Sequence, residues 1–278
     1  MKVPFYKYHA LGNDFIVVTG PKAPSRASVG SLARAICDRS TGVGADGLLY
    51  LSPSKKADIR ADVFNADGGW AERSGNGLRI VALHLRNLRT SGNEYAVEMG
   101  QSVSEVKLLK QIPDGYHIRG TIGSPDFRAA SVPVRSRTRM VINRKLTFGK
   151  ESALATCLAV GNPHCVIAVD SFDFDWKALG QRIECASMFP RRTNVEFVKV
   201  VNRGKIQVAE WERGAGATGS SGTGAAAAVA AMVMNGLVDR TCEVLFETGS
   251  LWVNWRSDTN VIELHGPVIF VASGIYNY

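Results

Sequence analysis

Ser74-Gly75-Asn76-Gly77 and Ser221-Gly222-Thr223-Gly224 decide the fold of this chain, because each stretch opens a long helical segment. The second stretch follows the first by 147 residues. The first leads into an apolar helical face with the spacing i, i+3, i+4, i+7, formed by Leu78, Val81, Ala82 and Leu85. The second leads into residues 225–234, a helix-prone run that is apolar on every side, as in a buried helix.

Three further pairs of segments recur in the same order in the two halves of the chain. The strand-to-turn segment 64–68 recurs at 211–214, again 147 residues later. Two more pairs match at offsets of 149 and about 152 residues, namely 12–15 with 161–164 and 39–43 with 192–195. Such a repeat predicts a duplicated half-chain unit and hence two similar domains. We place these domains at residues 1–124 with the tail 266–278, and at residues 125–265.

Short segments rich in Val and Ile, bounded by Gly, Asp, Asn or Pro, predict that strands dominate the rest of the chain. We expect strands at 15–19, 48–52, 59–64, 95–99, 116–121, 165–169, 195–200, 206–211, 243–247, 252–255 and 261–265. Two shorter helices are predicted at 29–38 and 174–184.

The composition excludes several classes of protein. A chain of 278 residues with 45% hydrophobic and 21% charged residues is globular rather than disordered. Its longest uninterrupted apolar run has ten residues, whereas a membrane-spanning helix needs roughly 20. The N-terminus shows no pattern typical of a signal peptide, so we predict a cytoplasmic protein without a membrane partner.

The net charge of +8 does not by itself indicate nucleic acid, because the basic residues are spread along the whole chain. One cluster contains Arg135, Arg137 and Arg139, whose alternate spacing would place three guanidiniums on one face of a strand. We interpret it as a solvated edge that discourages strand pairing, and we expect no nucleic-acid partner. Five cysteines without a CxxC and five dispersed histidines predict neither disulfides nor a metal site.

The repeated Gly-rich turns predict a site for a small zwitterion. Two helix N-termini, each with about half a positive charge, would bind a carboxylate from both sides of one cleft. A pseudo-twofold arrangement also supplies similar groups on opposite faces of a ligand, which suits inversion of a stereocentre. Candidate amide donors and acceptors for such a ligand are Asn13, Asn65, Asn76, Asn162 and Asn194, each of which is individually an ordinary turn former.

The other candidate residues also have ordinary structural explanations. Ser74 and Ser221 are expected helix N-caps, and the local sequence favours this role over that of a nucleophile. The segment 42–47 spells GxGxxG, but a helix precedes it and a strand follows, which is the reverse of a dinucleotide site. His164 at a strand start is more often structural than catalytic. Glu212-Arg213 is either a surface ion pair or a binder of ammonium and carboxylate groups.

Taken together, these segments resemble the diaminopimelate epimerase family over essentially the whole chain. The resemblance rests on HALGNDF (9–15), DRSTGVGADG (38–47), FNADG (64–68), SGNG (74–77), GNPH (161–164), RTNVEF (192–197) and ERGAG (212–216). It implies an α+β fold of two pseudo-symmetric domains, each a curved, mostly antiparallel sheet around a central helix. It further implies an enzyme that interconverts LL- and meso-diaminopimelate in lysine and cell-wall biosynthesis, without pyridoxal phosphate or metal.

The resemblance also implies the residues of the site. The family's two cysteines, a thiolate base and a thiol acid, stand where this chain has Ser74 and Ser221. His164 and Glu212 match residues that support catalysis around the reacting carbon. Substrate-binding positions fall on Asn13, Asn65, Gly75, Asn76, Asn162, Asn194, Glu212, Arg213, Gly222 and Thr223.

The two serines predict impaired proton transfer. The pKa of a cysteine, about 8.5, can be lowered at a helix N-terminus until a useful thiolate fraction exists, whereas a serine hydroxyl is a far weaker acid. A helix dipole contributes about 0.3–1 kcal/mol, and one pKa unit corresponds to about 1.4 kcal/mol. Further departures are Gly47, where many members have Gln, Arg73, where the family commonly has an uncharged residue, and Ala217, where an acidic residue is common.

Two explanations of the serines stay open. They are deliberate Cys→Ser substitutions that trap substrate, or they mark a natural paralogue with lost or changed chemistry, which the additional departures favour. Such a paralogue would be another amino-acid isomerase with His164 or Glu212 as base, a dehydratase, or a non-catalytic amino-acid-binding protein. The predicted partner in every case is a small zwitterionic amino acid, and a homodimer stays open.

Overall fold

The computed structural model describes residues 2–22, 25–88 and 92–278. The chain forms two compact units, unit 1 from Met1–Thr121 with His265–Tyr278 and unit 2 from Ile122–Leu264. Every helix in the described part of the chain is too short or too polar to cross a bilayer.

Unit 1 is a curved sheet that closes on itself. Its elements are β1 (Lys2–Ala10), β2 (Asn13–Thr19), α1 (Arg26–Cys37), β3 (Gly47–Ser52), β4 (Ile59–Asn65), β5 (Trp70–Ala71), α2 (Gly75–Leu88), β6 (Glu94–Met99), β7 (Ser102–Ile112) and β8 (Gly115–Gly123). The pairs β2–β3 and β4–β6 are parallel, and β1–β2, β3–β4, β6–β7 and β7–β8 are antiparallel. The C-terminal strand of the chain, Ile262–Asn277, pairs with both β1 and β8 and so completes the circuit.

Unit 2 repeats this order of elements. It contains β9 (Arg144–Phe148), β10 (Glu151–Ala159), β11 (Pro163–Ala168), α3 (Trp176–Glu184), β12 (Asn194–Asn202), β13 (Lys205–Glu212), β14 (Gly216–Thr218), α4 (Gly222–Met234), β15 (Thr241–Phe246) and β16 (Gly249–Trp255), and β17 (Ile262–Asn277) follows. The pairs β11–β12 and β13–β15 are parallel, whereas β10–β11, β12–β13 and β15–β16 are antiparallel. The predicted fold class of two duplicated α+β halves is confirmed.

The strand register fixes which residues are equivalent in the two units. Phe15 pairs with Gly47 as His164 pairs with Asn194, and Leu48 pairs with Phe64 as Val195 pairs with Trp211. Asn194 is therefore the counterpart of Gly47.

This register corrects one of the matches proposed from the sequence. The likeness of residues 39–43 to residues 192–195 is local only. The loops 38–46 and 185–193 are equally long. The end of the helix before each loop and the start of the strand after it are therefore offset by the same 147 residues between the two units.

Each unit places one helix against its sheet as a core element. Residues 75–85 of α2 are all buried, and so are residues 222–232 of α4. For α4 this follows from its composition, since small apolar side chains cover every face. For α2 the burial exceeds the predicted apolar face, because Asn76, Arg79 and His84 are buried as well.

The expected arginine strand is wrong. Residues 135 and 136 are irregular and residues 137–139 form bends, so the three guanidiniums share no strand face. Thr138 N–H donates to Ser136 Oγ at 3.1 Å, and the Thr138 hydroxyl donates to the Met140 carbonyl at 2.7 Å. Such local side-chain bonds to the backbone compete with a strand ladder.

Candidate functional site

Ser74 caps α2. The Gly77 N–H donates to Ser74 Oγ at 2.9 Å, and the Leu78 N–H donates to the Ser74 carbonyl at 3.0 Å. The first bond satisfies one of the four N–H groups that the first turn of a helix leaves without intrahelical partners, and the second is the first regular bond of the helix. The cap fixes the hydroxyl at the positive end of α2, where the N–H groups of Gly75 and Asn76 complete the turn. We call this turn and the side chains in contact with it the α2 site.

A chain of amides connects a buried cation to a carboxylate in the α2 site. Arg79 Nη2 donates to Asn76 Oδ1 at 2.5 Å, Asn76 Nδ2 donates to Asn13 Oδ1 at 3.0 Å, and Asn13 Nδ2 donates to Asp46 Oδ2 at 2.9 Å. A guanidinium can only donate and a carboxylate can only accept. The two charged ends therefore set the orientation of both amides, which are predicted substrate-binding groups.

The loop that carries Asn13 is held by ion pairs. Asp14 accepts from Arg39 at 2.8 Å and lies 2.9 Å from Lys7 Nζ, while Arg39 also contacts Asp46 at 2.9 Å. Burial acts to raise the pKa of Asp14, but the hydrogen bonds from Arg39 and Lys7 outweigh it and hold the pKa below its usual value. The predicted binding residue Asn65 lies exposed at the end of β4, where its N–H donates to the Gly69 carbonyl at 2.9 Å.

Ser221 caps α4 in the same way. The Gly224 N–H donates to Ser221 Oγ at 3.2 Å, and the Ala225 N–H donates to the Ser221 carbonyl at 3.0 Å. Ser221 Oγ lies 3.4 Å from Thr223 Oγ1, which accepts from Asn162 Nδ2 at 3.3 Å. We call this turn, which includes Gly222, and its contacting side chains the α4 site.

Hydrogen-bond logic fixes the protons on His164. Its Nε2 faces Asn162 Oδ1 at 2.7 Å, and its Nδ1 faces Glu196 Oε1 at 2.6 Å. Asn162 directs its amide nitrogen toward Thr223, so its oxygen accepts and Nε2 must carry a hydrogen. One further proton then lies between Nδ1 and Glu196. The imidazole of His164 thus links the Glu196 carboxyl to the Asn162 amide that faces Thr223.

Two carboxyl groups lie against the first turn of α4. Glu196 and Glu210 face each other across β12 and β13, and both are buried. A Cβ added to Gly224 would lie 2.2 Å from Glu210 Oε2 and 3.3 Å from Glu196 Oε1, so any side chain there would have to displace the Glu210 carboxyl. Burial, followed by the charges of Glu212 and Glu196, raises the pKa of Glu210 well above its usual 4.5. Glu210 therefore keeps its proton to higher pH than an ordinary glutamate does.

Glu210→Gln should make the protein more stable above neutral pH. The folded state keeps the Glu210 proton after the unfolded chain has released it, so the contribution of Glu210 to stability falls as pH rises above about 4.5. The loss amounts to about 1.4 kcal/mol per pH unit until the raised pKa is reached. Thermal denaturation between pH 4 and 9 should show that the stability of the variant relative to the parent increases as pH rises. The exposed Glu247→Gln is the matched control, and equal pH slopes for parent and Glu210→Gln would contradict the prediction.

The remaining predicted residues of unit 2 lie around the turn after β13. Asn194 Oδ1 accepts from the Arg213 N–H at 2.8 Å, and Arg213 Nη1 donates to the Arg191 carbonyl at 3.2 Å. The Glu184 carboxylate also holds this turn, because it accepts from Trp211 Nε1 at 2.7 Å and from the Gly214 N–H at 3.0 Å. Asn194 thus fixes the backbone of Arg213, while the Arg213 side chain remains exposed.

The five cysteines lie outside both sites. Cys37, Cys157, Cys165 and Cys242 are buried, and Cys185 is exposed. Burial raises the pKa of Cys37 to about 12 and that of Cys242 to about 11. The hydrogen bond with Cys157, followed by burial, raises the pKa of Cys165 well above its usual value. These four thiols do not supply the thiolate that Ser74 and Ser221 lack.

The ionisable side chains packed beside the two helices differ in kind. Beside α2 lie Arg73 and Arg79, and beside α4 lie Glu196 and Glu210. Sequence reasoning did not assign a role to Arg79, Glu196 or Glu210. The sequence feature that could have indicated them is a charged residue inside an otherwise apolar helix or strand. Within the described residues, no group of three His, Cys, Asp or Glu side chains is placed to hold a metal ion.

Comparison with known proteins points to one family. The family model described as diaminopimelate epimerase matches residues 5–114 and 156–271. A diaminopimelate epimerase of Desulforudis audaxviator is 38% identical over 272 residues, covering 97% of this chain and 98% of that protein. One from Pelotomaculum thermopropionicum is 39% identical, with 99% of both chains covered.

Solved structures share the fold at low sequence identity. A probable proline racemase from Agrobacterium radiobacter superposes with a TM-score of 0.73 at 13% identity, covering 98% of this chain and 92% of that one. A PhzF-family phenazine biosynthesis protein from Bacillus anthracis superposes with a TM-score of 0.70 at 14% identity over all of both chains. At these identities the likeness concerns the fold alone.

Proposed function

This chain belongs to the diaminopimelate epimerase family and is an epimerase-type isomerase, and on that premise we propose that its substrate is diaminopimelate. The reaction interconverts the LL and meso forms, a step of lysine biosynthesis, by removing a proton from one face of the α-carbon and returning one to the other face. The observation that carries the proposal is the orientation of the amides. Charged residues direct Asn76 and Asn13 at the α2 site, and the Glu196–His164 pair directs Asn162 at the α4 site.

The residues around each serine suit this chemistry better than the serines themselves. When the α-proton leaves, negative charge develops on the carbon and its carboxylate, and helix N-termini stabilise such charge. Ser74 and Ser221 stand at two such N-termini, where the family has its acid and base. Because a serine hydroxyl is a far weaker acid than a thiol, we propose that the chain binds diaminopimelate normally and epimerises it slowly.

Arg213→Ala should weaken diaminopimelate binding by about tenfold or more, measured by calorimetry without metal or added cofactor. A charge-assisted hydrogen bond to a substrate carboxylate contributes roughly 1.5–3 kcal/mol, and 1.4 kcal/mol corresponds to a tenfold change in affinity. The backbone contact with Asn194 uses the Arg213 N–H and survives the substitution, so the turn should keep its shape.

Arg137→Ala is the matched control, because it removes the same charge from an exposed bend. Its affinity should equal that of the parent. No binding heat with either isomer of diaminopimelate, or equal affinity in parent and Arg213→Ala, would contradict the proposed substrate. Exchange of the α-hydrogen in deuterated water then separates a slow epimerase from a protein that only binds.

A further inference from the structure

Two guanidiniums of unit 1 lie beside α2 and contact no carboxylate among the residues that the structure describes. Arg79 is fully buried and Arg73 is partly buried. Burial lowers the pKa of both groups, to about 9 for Arg79, and no neighbouring acid acts in the opposite direction. Neither of them forms an ion pair within the described residues. Burying a charge without a counter-charge costs free energy, so we expect an anion to bind near these two cations.

The Arg73 guanidinium binds the β7–β8 hairpin, and the stem of the Arg79 side chain passes the same hairpin. Arg73 Nη2 donates to Ser104 Oγ at 2.6 Å and to the Thr121 carbonyl at 3.1 Å, and Arg73 Nη1 donates to Ser102 Oγ at 3.3 Å. The stem of Arg79 passes Gly120, where its Cγ lies 3.8 Å from the place that a Cβ would take. Arg79 Nε then turns back to the Gly75 carbonyl at 3.4 Å, which brings the guanidinium to the first turn of α2.

Several donors of this group are left over. Arg79 Nη1 and Arg73 Nε are buried and have no hydrogen-bond partner within the described residues. Ser104 is buried, and its oxygen accepts from Arg73, so its hydroxyl hydrogen is directed elsewhere. Buried donors are normally hydrogen-bonded, so the unsatisfied nitrogens of these two cations call for an explanation by acceptor atoms outside the chain.

The duplication shows that the fold does not need these arginines. At the shared offset of 147 residues, Ser220 is the counterpart of Arg73 and Ala226 is the counterpart of Arg79. Helix α4 forms the same cap in the same topological position without either guanidinium. Packing of a central helix therefore does not explain why Arg73 and Arg79 are present.

We propose that Arg73, Arg79 and Ser104 form a binding site for a small oxyanion beside the first turn of α2. Two guanidiniums match a doubly charged oxyanion such as sulfate or hydrogen phosphate, with the hydroxyl as a third donor. The same chemistry would accept a carboxylate of a bound amino acid. The site goes beyond the proposed function because binding at it requires no proton transfer.

Sulfate titration of the parent, Arg73→Gln and Arg137→Gln tests the site. Calorimetry and thermal denaturation are run without substrate, and the ionic strength is kept constant with sodium chloride. The parent should bind sulfate, Arg73→Gln should bind it about tenfold more weakly or worse, and Arg137→Gln should match the parent. Arg79→Gln should lose binding as well, but Arg73→Gln suffices if that variant does not fold.

The outcomes separate the site from general salt effects and from the enzyme reaction. The same sulfate effect in the parent and Arg73→Gln, or no binding by the parent, would overturn the proposal. Competition between sulfate and diaminopimelate would identify the substrate carboxylate as the natural oxyanion, whereas independent binding would identify a free inorganic anion. Because these titrations involve no turnover, their failure leaves the proposed epimerase reaction standing, and a failed epimerase assay leaves the sulfate result standing.

Discussion

The double substitution Ser74→Cys with Ser221→Cys should raise epimerisation of diaminopimelate by about 10²–10⁴-fold, the usual contribution of positioned acid–base groups. Either substitution alone should help only slightly, because inversion needs a base on one face of the α-carbon and an acid on the other. The combined effect should therefore far exceed the product of the single effects, as expected for residues that act as a unit. The measurement is α-hydrogen exchange with stereochemical analysis of the product for all four proteins.

The surroundings of the two caps predict which thiol would be the base. Arg73 and Arg79 lie near position 74, and cations favour a thiolate. Glu196 and Glu210 lie near position 221, where burial and carboxylates favour the protonated thiol. Iodoacetamide at neutral pH should consequently modify the thiol introduced at position 74 faster than the one at position 221.

Ser220→Cys is the control for this series, because it adds a thiol beside the α4 cap without placing it at the cap position. Each cap substitution should cost about 1 kcal/mol of stability, since a thiol is a poorer acceptor for the first-turn N–H than a hydroxyl. Strong epimerisation by the unmodified chain would contradict the claim that serine is inadequate. A folded but inactive double variant would show instead that the binding residues have diverged.

The sequence predicts the helices and caps of this site because their signals are local. Ser74 and Ser221 stand before Gly-rich first turns and apolar helical runs, and both cap as expected. Strands β2, β3 and β4 are also predictable, since each is a short apolar run between turn residues. The strands β1 and β7 are absent from the prediction because charged residues and, in β1, a proline interrupt their apolar residues, so neither contains a run rich in Val and Ile.

The polar residues behind the site are harder to predict, because their roles depend on tertiary neighbours. Arg79 lies between Leu78 and Ile80 in α2, and nothing local indicates that its guanidinium is fully buried. Glu196 meets His164 only through the parallel register of β11 and β12, which no short-range pattern encodes. The match of Arg39 with Arg192 is wrong for the same reason, because a local likeness of residues does not establish topological equivalence.

The buried Glu196–His164 pair should give the largest loss of stability on substitution. Glu196→Ala leaves Nδ1 of a fully buried imidazole without a partner, and removing one member of a buried pair costs about 3–5 kcal/mol. His164 is then free to turn away from Asn162, whose amide loses its orientation toward Thr223. In Glu196→Ala, the affinity for diaminopimelate and the free energy of unfolding should therefore both decrease.

Glu196→Gln separates the hydrogen bond from the charge. Asn162 Oδ1 requires a hydrogen on His164 Nε2, so Nδ1 of the neutral imidazole is an acceptor to which the new amide can donate. We therefore expect Glu196→Gln to lose about 1 kcal/mol or less and to bind diaminopimelate as the parent does. Glu151→Ala, at an exposed ion pair with Arg182, is the control and should cost at most about 1 kcal/mol. Chemical denaturation measures the stability of the three variants, and calorimetry measures their affinity for diaminopimelate. Equal losses of stability in Glu196→Ala and Glu196→Gln would mean that the amide cannot replace the carboxyl and that the proton assignment for His164 is wrong.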